Sequence, residues 1–175
     1  MAQHNDLDTI NVSAKGQGIR IDYLANHRHL IPELSTMLYA EWLDLYQAAG
    51  LTQHDLIAAL EQRCVTHQLP LTLVAIDADG QLVGAGSIKL DEPGTKVGLG
   101  PWLGGIYIKQ PQRGLGIGAQ IVTALERQAC ALGVTALYLS ADTAEAFYLR
   151  LGWQVMERLE SLGVRDVALM TKKLC

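Results

Sequence analysis

Three glycines at alternating positions, Gly114, Gly116 and Gly118, lie in the run Gln112-Arg113-Gly114-Leu115-Gly116-Ile117-Gly118, directly before an apolar pattern of helical spacing. A helix that begins near Gly114 leaves its first backbone N–H groups unpaired. Those donors, aligned with the helix dipole, form a site for phosphate oxygens. The absent side chains let a ligand approach the main chain, and Arg113 adds a charge that can meet a phosphate. A tight strand-to-helix turn with no ligand accounts for the same glycines equally well. A nucleoside-triphosphate loop would continue with Gly-Lys-Ser/Thr, whereas Gly118 is followed by Ala119 and Gln120. A dinucleotide fingerprint would need its third glycine at Ala119.

The groups able to move a proton are scattered. Asp91 and Glu92 open a breaker cluster, Glu41 and Asp44 lie in a helical stretch, and His27 and His29 precede it. Each is a solvated surface charge as readily as a general base. The histidines lack zinc-site spacing and no HExxH pattern or cysteine cluster supports them, so no metal site is expected. Cys64, Cys130 and Cys175 are odd in number and far apart, and the expectation is three reduced thiols without a disulfide.

The elements that would position these groups follow from periodicity. Residues 19–24 alternate apolar and polar in the manner of a strand with one buried face. Across residues 30–49, Leu34, Leu38, Trp42 and Leu45 recur at helical spacing and predict one helix. Thr52 can cap a second, carrying Leu56, Ala59, Leu60 and Arg63 along it to about His67. Residues 71–76 and 81–90 read as a hairpin joined by Asp77-Ala78-Asp79-Gly80. Trp102-Leu103-Gly104-Gly105-Ile106-Tyr107-Ile108 reads as a strand whose interior glycines mark a bulge or a close backbone approach. Ile117, Ile121, Leu125 and Leu132 predict a long helix ending at Gly133. A strand at 136–140, a short helix over 144–151 and two terminal strands flanking Gly163 complete the order.

A chain of 175 residues with a net charge of -4 fits a single core and shows no electrostatic footprint for nucleic acid or an anionic membrane. No apolar run approaches the roughly 20 residues of a membrane span. The expected organisation is a flexible leader over residues 1–18, one domain over 19–175 and a cytoplasmic location. An exposed C-terminal strand would offer an edge for a homodimer.

The glycine turn resembles the coenzyme A motif of the GNAT superfamily of N-acetyltransferases, Gln/Arg-x-x-Gly-x-Gly/Ala, which Arg113, Gly116 and Gly118 satisfy. Phe147-Tyr148-Leu149-Arg150-Leu151-Gly152-Trp153 is similar to the family's later segment, in which an aromatic-Tyr pair precedes a glycine and an aromatic residue. The resemblance covers nearly all of the chain after residue 18. It implies an α/β (α+β) fold: a mixed, mainly antiparallel sheet of about seven strands with a splayed parallel pair, flanked by about four helices. It also implies acetyl-CoA as co-substrate, its pyrophosphate on residues 113–118 (Arg113, Gly114, Leu115, Gly116, Ile117, Gly118) and its pantetheine arm along the backbone of Ile106, Tyr107 and Ile108.

The implied reaction is transfer of acetyl to a primary amine of a small molecule or peptide by direct attack in a ternary complex. Tyr148 would protonate the leaving thiolate, although at helical spacing alone it reads as a core aromatic. A lysine-like amine, with a pKa of roughly 10.4, needs a base, for which Asp91 and Glu92 stand slightly ahead of the other candidates. The family's asparagine before the tyrosine is missing, leaving Asp142 or Thr143 to replace it, and residues 102–108 carry no carboxylate. A non-catalytic acyl-CoA-binding sensor or interaction module would fit that last feature. Glu41, Asp44, Asp55, Asp91 and Glu92 could give an acidic wall to the acceptor cleft, with Trp42, Trp102 and Tyr46 lining it.

Overall fold

The computed structural model describes residues 18–96 and 98–175. All but the last residue of the expected leader therefore lies outside the described part. Seven strands form one sheet: β1 (Arg20–Tyr23), β2 (Leu71–Ile76), β3 (Leu82–Lys89), β4 (Trp102–Ile108), β5 (Ala136–Ala141), β6 (Gln154–Ser161) and β7 (Arg165–Lys173), in the spatial order β1-β2-β3-β4-β5-β7-β6. Every neighbouring pair is antiparallel except β4 and β5. The expected mixed sheet with one parallel pair is what forms.

Side-chain alternation explains the layers. In β2, Leu71, Leu73 and Ala75 face one core, built with helix α4 (Ile117–Ala131), while Val74 and Ile76 face a second. The second core is covered by α1 (Ile31–Glu41) and α3 (Gln53–Gln62), through Leu34, Leu38, Leu56 and Leu60. A strand buried on both faces reads as a near-continuous apolar run, as β2 does except at Thr72, whose buried hydroxyl is bonded to that of Ser87 at 2.7 Å. A short helix, α5 (Glu145–Arg150), closes the far end of β5.

Three expectations are corrected. The helix predicted across residues 30–49 breaks at Trp42, where φ is -120° and ψ is 37°, giving α1 and a separate α2 (Leu43–Ala48). The apolar stripe runs through the break unchanged, because Trp42 still packs against the second core while it and Leu45 line a cavity, so periodicity alone cannot reveal it. The C-terminal strand is interior: β7 sits between β5 and β6, which leaves β6 as the edge. Finally, Cys130 and Cys175 are joined as a disulfide, and Cys64 is the one free cysteine among the described residues. The cause is register. Ala136 pairs with Lys173, so the end of β7 lies beside the end of α4.

Close packing of α4 on β3 depends on Gly86. A Cβ there would lie 2.5 Å from Ile106 Cδ1, 2.8 Å from Ile121 Cγ2 and 2.9 Å from Leu125 Cδ1. Gly86→Ala should therefore cost about 1–3 kcal/mol by overpacking and lower the thermal midpoint by several degrees. Gly118→Ala, whose Cβ would meet nothing nearer than 3.6 Å, should leave the midpoint unchanged or raise it through better helix propensity. Differential scanning calorimetry of the two variants checks the contrast.

Candidate active site

The centre of the sheet is split. The ladder between β4 and β5 is one residue pair long, Trp102 with Tyr138, extended by a bond from Tyr138 N–H to the Pro101 carbonyl at 3.1 Å. The indole of Trp102 is buried and donates to the Leu99 carbonyl at 2.9 Å, which fixes the closed end of the split. Beyond it the two strands part. On the other side β4 stays paired with β3, but its register slips. Ser87 faces Gly104 while Ala85 faces Tyr107, so β4 holds one extra residue. Gly105, with φ at +62°, supplies the left-handed conformation such a bulge needs. The backbone of Ile106, Tyr107 and Ile108 thus lies past the last pairing with β5.

Chain continuity carries β4 through a short 3-10 turn, Gln110–Gln112, into the glycine run. Arg113, Gly114, Leu115 and Gly116 are exposed, and α4 starts at Ile117, later than the sequence suggests. Gly116 occupies the N-cap with φ at +81° and supplies no side-chain cap. The unpaired N–H groups therefore belong to the turn at 116–119. A Cβ on Gly114 or Gly116 would meet nothing within 4 Å, so the approach is open. The side chain of Ile117 is buried in the core, which leaves only its main chain to offer a ligand. Arg113 donates from Nε to the Ile108 carbonyl at 2.8 Å, with its guanidinium 5.6 Å from the centre of the Tyr107 ring.

At the bulge, Gly104, Gly105 and Ile106 border a cavity of about 430 Å³ whose opposite walls come from α2, α3, the 91–93 loop and β7. Tyr148 lines it and is 8% exposed, held edge-on between Phe147 and Trp153. Burial, with a smaller contribution from the Asp142 carboxylate, pushes its hydroxyl above the ordinary tyrosine range. Asp91 and Glu92 both border the cavity, Glu92 in an ion pair with Lys89 over Gly104. Trp42 and Tyr46 line it as expected, whereas Trp102 does not. His27 lies elsewhere, bonded to Asp22 at 2.9 Å, and neither it nor His29 nor Glu41 borders the cavity.

The expected acidic wall is largely neutralised. Arg165 bonds Asp44 from Nε at 2.7 Å and from a terminal nitrogen at 2.6 Å, and Asp142 from the other at 2.6 Å. Asp55 closes a capping box with Thr52 at the start of α3. Burial alone would raise the Asp142 carboxyl, but bonds from the Thr143 N–H and Arg165 outweigh it and hold it below the ordinary carboxylate range. The Arg165 bond does the same for Asp44. Arg165 and Arg63, both lining the cavity, were not among the expected site residues. Arg63 had a readable signal, a cation continuing the apolar stripe Leu56, Ala59, Leu60; Arg165 had none.

Both carboxyls that Arg165 holds are lowered, so the stabilisation exists above the ordinary carboxylate pKa and is lost as pH falls through the native values. Arg165→Met should therefore lower the thermal midpoint by a few degrees at pH 7, and the difference from wild type should begin to shrink as pH falls through about 4 and vanish only below the lowered native values. Midpoints measured across that range check it.

Among the described residues no three His, Cys, Asp or Glu side chains are grouped to hold a metal ion, and no helix is long and apolar enough to cross a membrane. The chain is similar in fold to an aminoglycoside 6'-N-acetyltransferase solved with coenzyme A, at 18% identity and a TM-score of 0.66 over 89% of this chain and 97% of that one. An aminoglycoside 6'-acetyltransferase type Ii gives 21% identity and a TM-score of 0.65 over 89% and 97%. A GNAT-family acetyltransferase from Streptococcus pneumoniae gives 18% and 0.63 over 90% and 99%. Comparison with curated protein sequences yields no match. Residues 32–153 match the profile of the acetyltransferase (GNAT) family, a span that takes in the split strands, the glycine turn and Tyr148, and the chain belongs to that family.

Proposed function

We propose that this protein transfers the acetyl group of acetyl-CoA to a primary amine held in the cavity, by direct attack within a ternary complex. The observation that carries the reading is continuity: the unpaired edge of β4 runs from the Gly104-Gly105 bulge, where Tyr148 borders the cavity, to the open turn before α4. Phosphates fit the uncapped N-terminus of a 15-residue helix whose approaching glycines carry no side chain. Ile106, Tyr107 and Ile108 offer backbone donors and acceptors to the pantetheine amides. The thioester supplies the acyl carbon.

In the transfer the new N–C bond forms as the C–S bond breaks. A base takes one proton from the amine and the thiolate takes one from an acid. Tyr148 is the acid in this reading. Its raised pKa keeps it protonated, which is the form a donor needs. Proton transfer to a thiol of ordinary pKa about 8.5 is then uphill by more than the about 2 kcal/mol of an unperturbed tyrosine, yet the same desolvation raises the thiolate's affinity for the proton. Asp91 forms no ion pair among the described residues, while Glu92 is engaged by Lys89. Asp91 is therefore the better placed of the two to take the amine proton, directly or through water.

Acetyl-CoA should raise the thermal midpoint, since a ligand of the native state alone stabilises it, and an amine should release free coenzyme A over many turnovers. Tyr148→Phe should keep the midpoint shift and lose about 100-fold in kcat, at the low end for a general acid because a thiolate leaves readily. In wild type the tyrosine should cause no decline in kcat up to about pH 10, its pKa being raised from that value. Absence of a midpoint shift sinks the donor assignment; full turnover by Tyr148→Phe sinks only the acid.

A further inference from the structure

Three cations border the cavity, and two are answered: Lys89 by Glu92, and Arg165 by Asp44 and Asp142. The third, Arg63, stands at the C-cap of α3 and forms no side-chain hydrogen bond or ion pair among the described residues. Asp91 and Glu92 attract it only at a distance. Burial outweighs that attraction and pulls its pKa below the usual arginine range, the mark of a cation lacking a counter-ion. The Tyr46 hydroxyl belongs to a residue lining the same cavity. Burial pushes that hydroxyl up to about 12, so it remains a neutral donor and does not itself neutralise the guanidinium. The Tyr46 ring is held by stacking on Tyr39 at 5.3 Å. The phenol of Tyr46 and the planar guanidinium of Arg63 both border the cavity, on a wall shared with Trp42, Asp55, Leu56 and Ala59, and neither forms a side-chain hydrogen bond among the described residues.

We propose that Arg63, with the Tyr46 hydroxyl, binds a carboxylate of the acetyl acceptor, so that the acceptor is a small amino acid and not a polycationic amine. The inference rests on the acetyl-transfer reading above. Size agrees with it. A cavity of about 430 Å³ that must also admit the acetyl group and the sulfur is at the small end of the roughly 300–1,000 Å³ typical of ligand sites. Charge agrees as well, because an amino acid brings the missing anion to Arg63 and an ammonium to the side of Asp91.

The test uses the full chain, acetyl-CoA and matched acceptors: a panel of amino acids, their carboxamides and spermidine, with release of free coenzyme A as the readout. The best amino acid should exceed its own carboxamide by about 10- to 100-fold in kcat/KM, mainly through KM, the range expected of a charge-assisted hydrogen bond. Arg63→Met should erase that preference and Arg63→Lys should restore part of it. The acetyl-CoA midpoint shift of each variant reports that it folds and binds donor. Carboxamides or spermidine used as well as amino acids overturn the proposal and leave acetyl transfer standing. So does an equal loss on both acceptor forms in Arg63→Met, or acetyl-CoA binding with no amino acid acetylated. A wild-type protein that shows no midpoint shift with acetyl-CoA fails at the donor step, and both readings fall together.

Discussion

The single extra residue in β4 is the constraint on which the rest depends. Backbone groups inside a sheet need partners, and a strand in the middle of seven has neighbours on both sides to supply them. By bulging at Gly105, β4 keeps its bonds to β3 while turning away from β5 after one shared pair. The result is a strand edge within the sheet that no other strand covers. An edge of this kind invites an extended chain to bond along it. The bulge that opens the edge also sets Gly104 beneath Lys89 and Glu92, so one local irregularity creates both a backbone template and a corner of the cavity.

Electrostatics then divide the cavity into two regions. Around Arg165, charge is balanced by Asp44 and Asp142, and the network spans α2, β5 and β7. Around Arg63 it is not balanced. A buried charge without a partner is costly, and perturbed charges in a cavity of this kind are candidates for ligand binding. The contrast between two arginines in one cavity, one with three short bonds and one with none among the described residues, separates a structural cation from one suited to binding.

What could be read from the sequence follows from range. The glycine turn, the strand with interior glycines, the Asp77–Gly80 hairpin and the Thr52 cap are local, and each forms near its expected place. The break at Trp42 escapes because the side chain still falls on the apolar stripe, packing against the second core while also lining the cavity. The disulfide and the interior position of β7 depend on which strands pair, a tertiary choice with no local signature. Arg165 lies 121 residues from Asp44 and 23 from Asp142, so its role is invisible until the sheet is assembled. Arg63 differs, since a cation at the seventh step of an apolar stripe is a local anomaly that periodicity itself exposes.

Arg165 also connects the two halves of the site. Asp142, at the end of β5, raises the proton affinity of Tyr148, and its carboxylate is held by the same guanidinium that grips Asp44 on α2. Helix α2 is only six residues long, buries no side chain fully, and begins at the kink of Trp42. A helix of that length has little stability of its own and takes its position from tertiary contacts. The Asp44–Arg165–Asp142 bridge therefore sets where Trp42, Leu45 and Tyr46 stand along the cavity wall by reference to the strand that ends beside Tyr148. In the proposed reaction, the wall that holds the amine and the hydroxyl that meets the sulfur are positioned through one cation, which places acceptor and donor in a common frame.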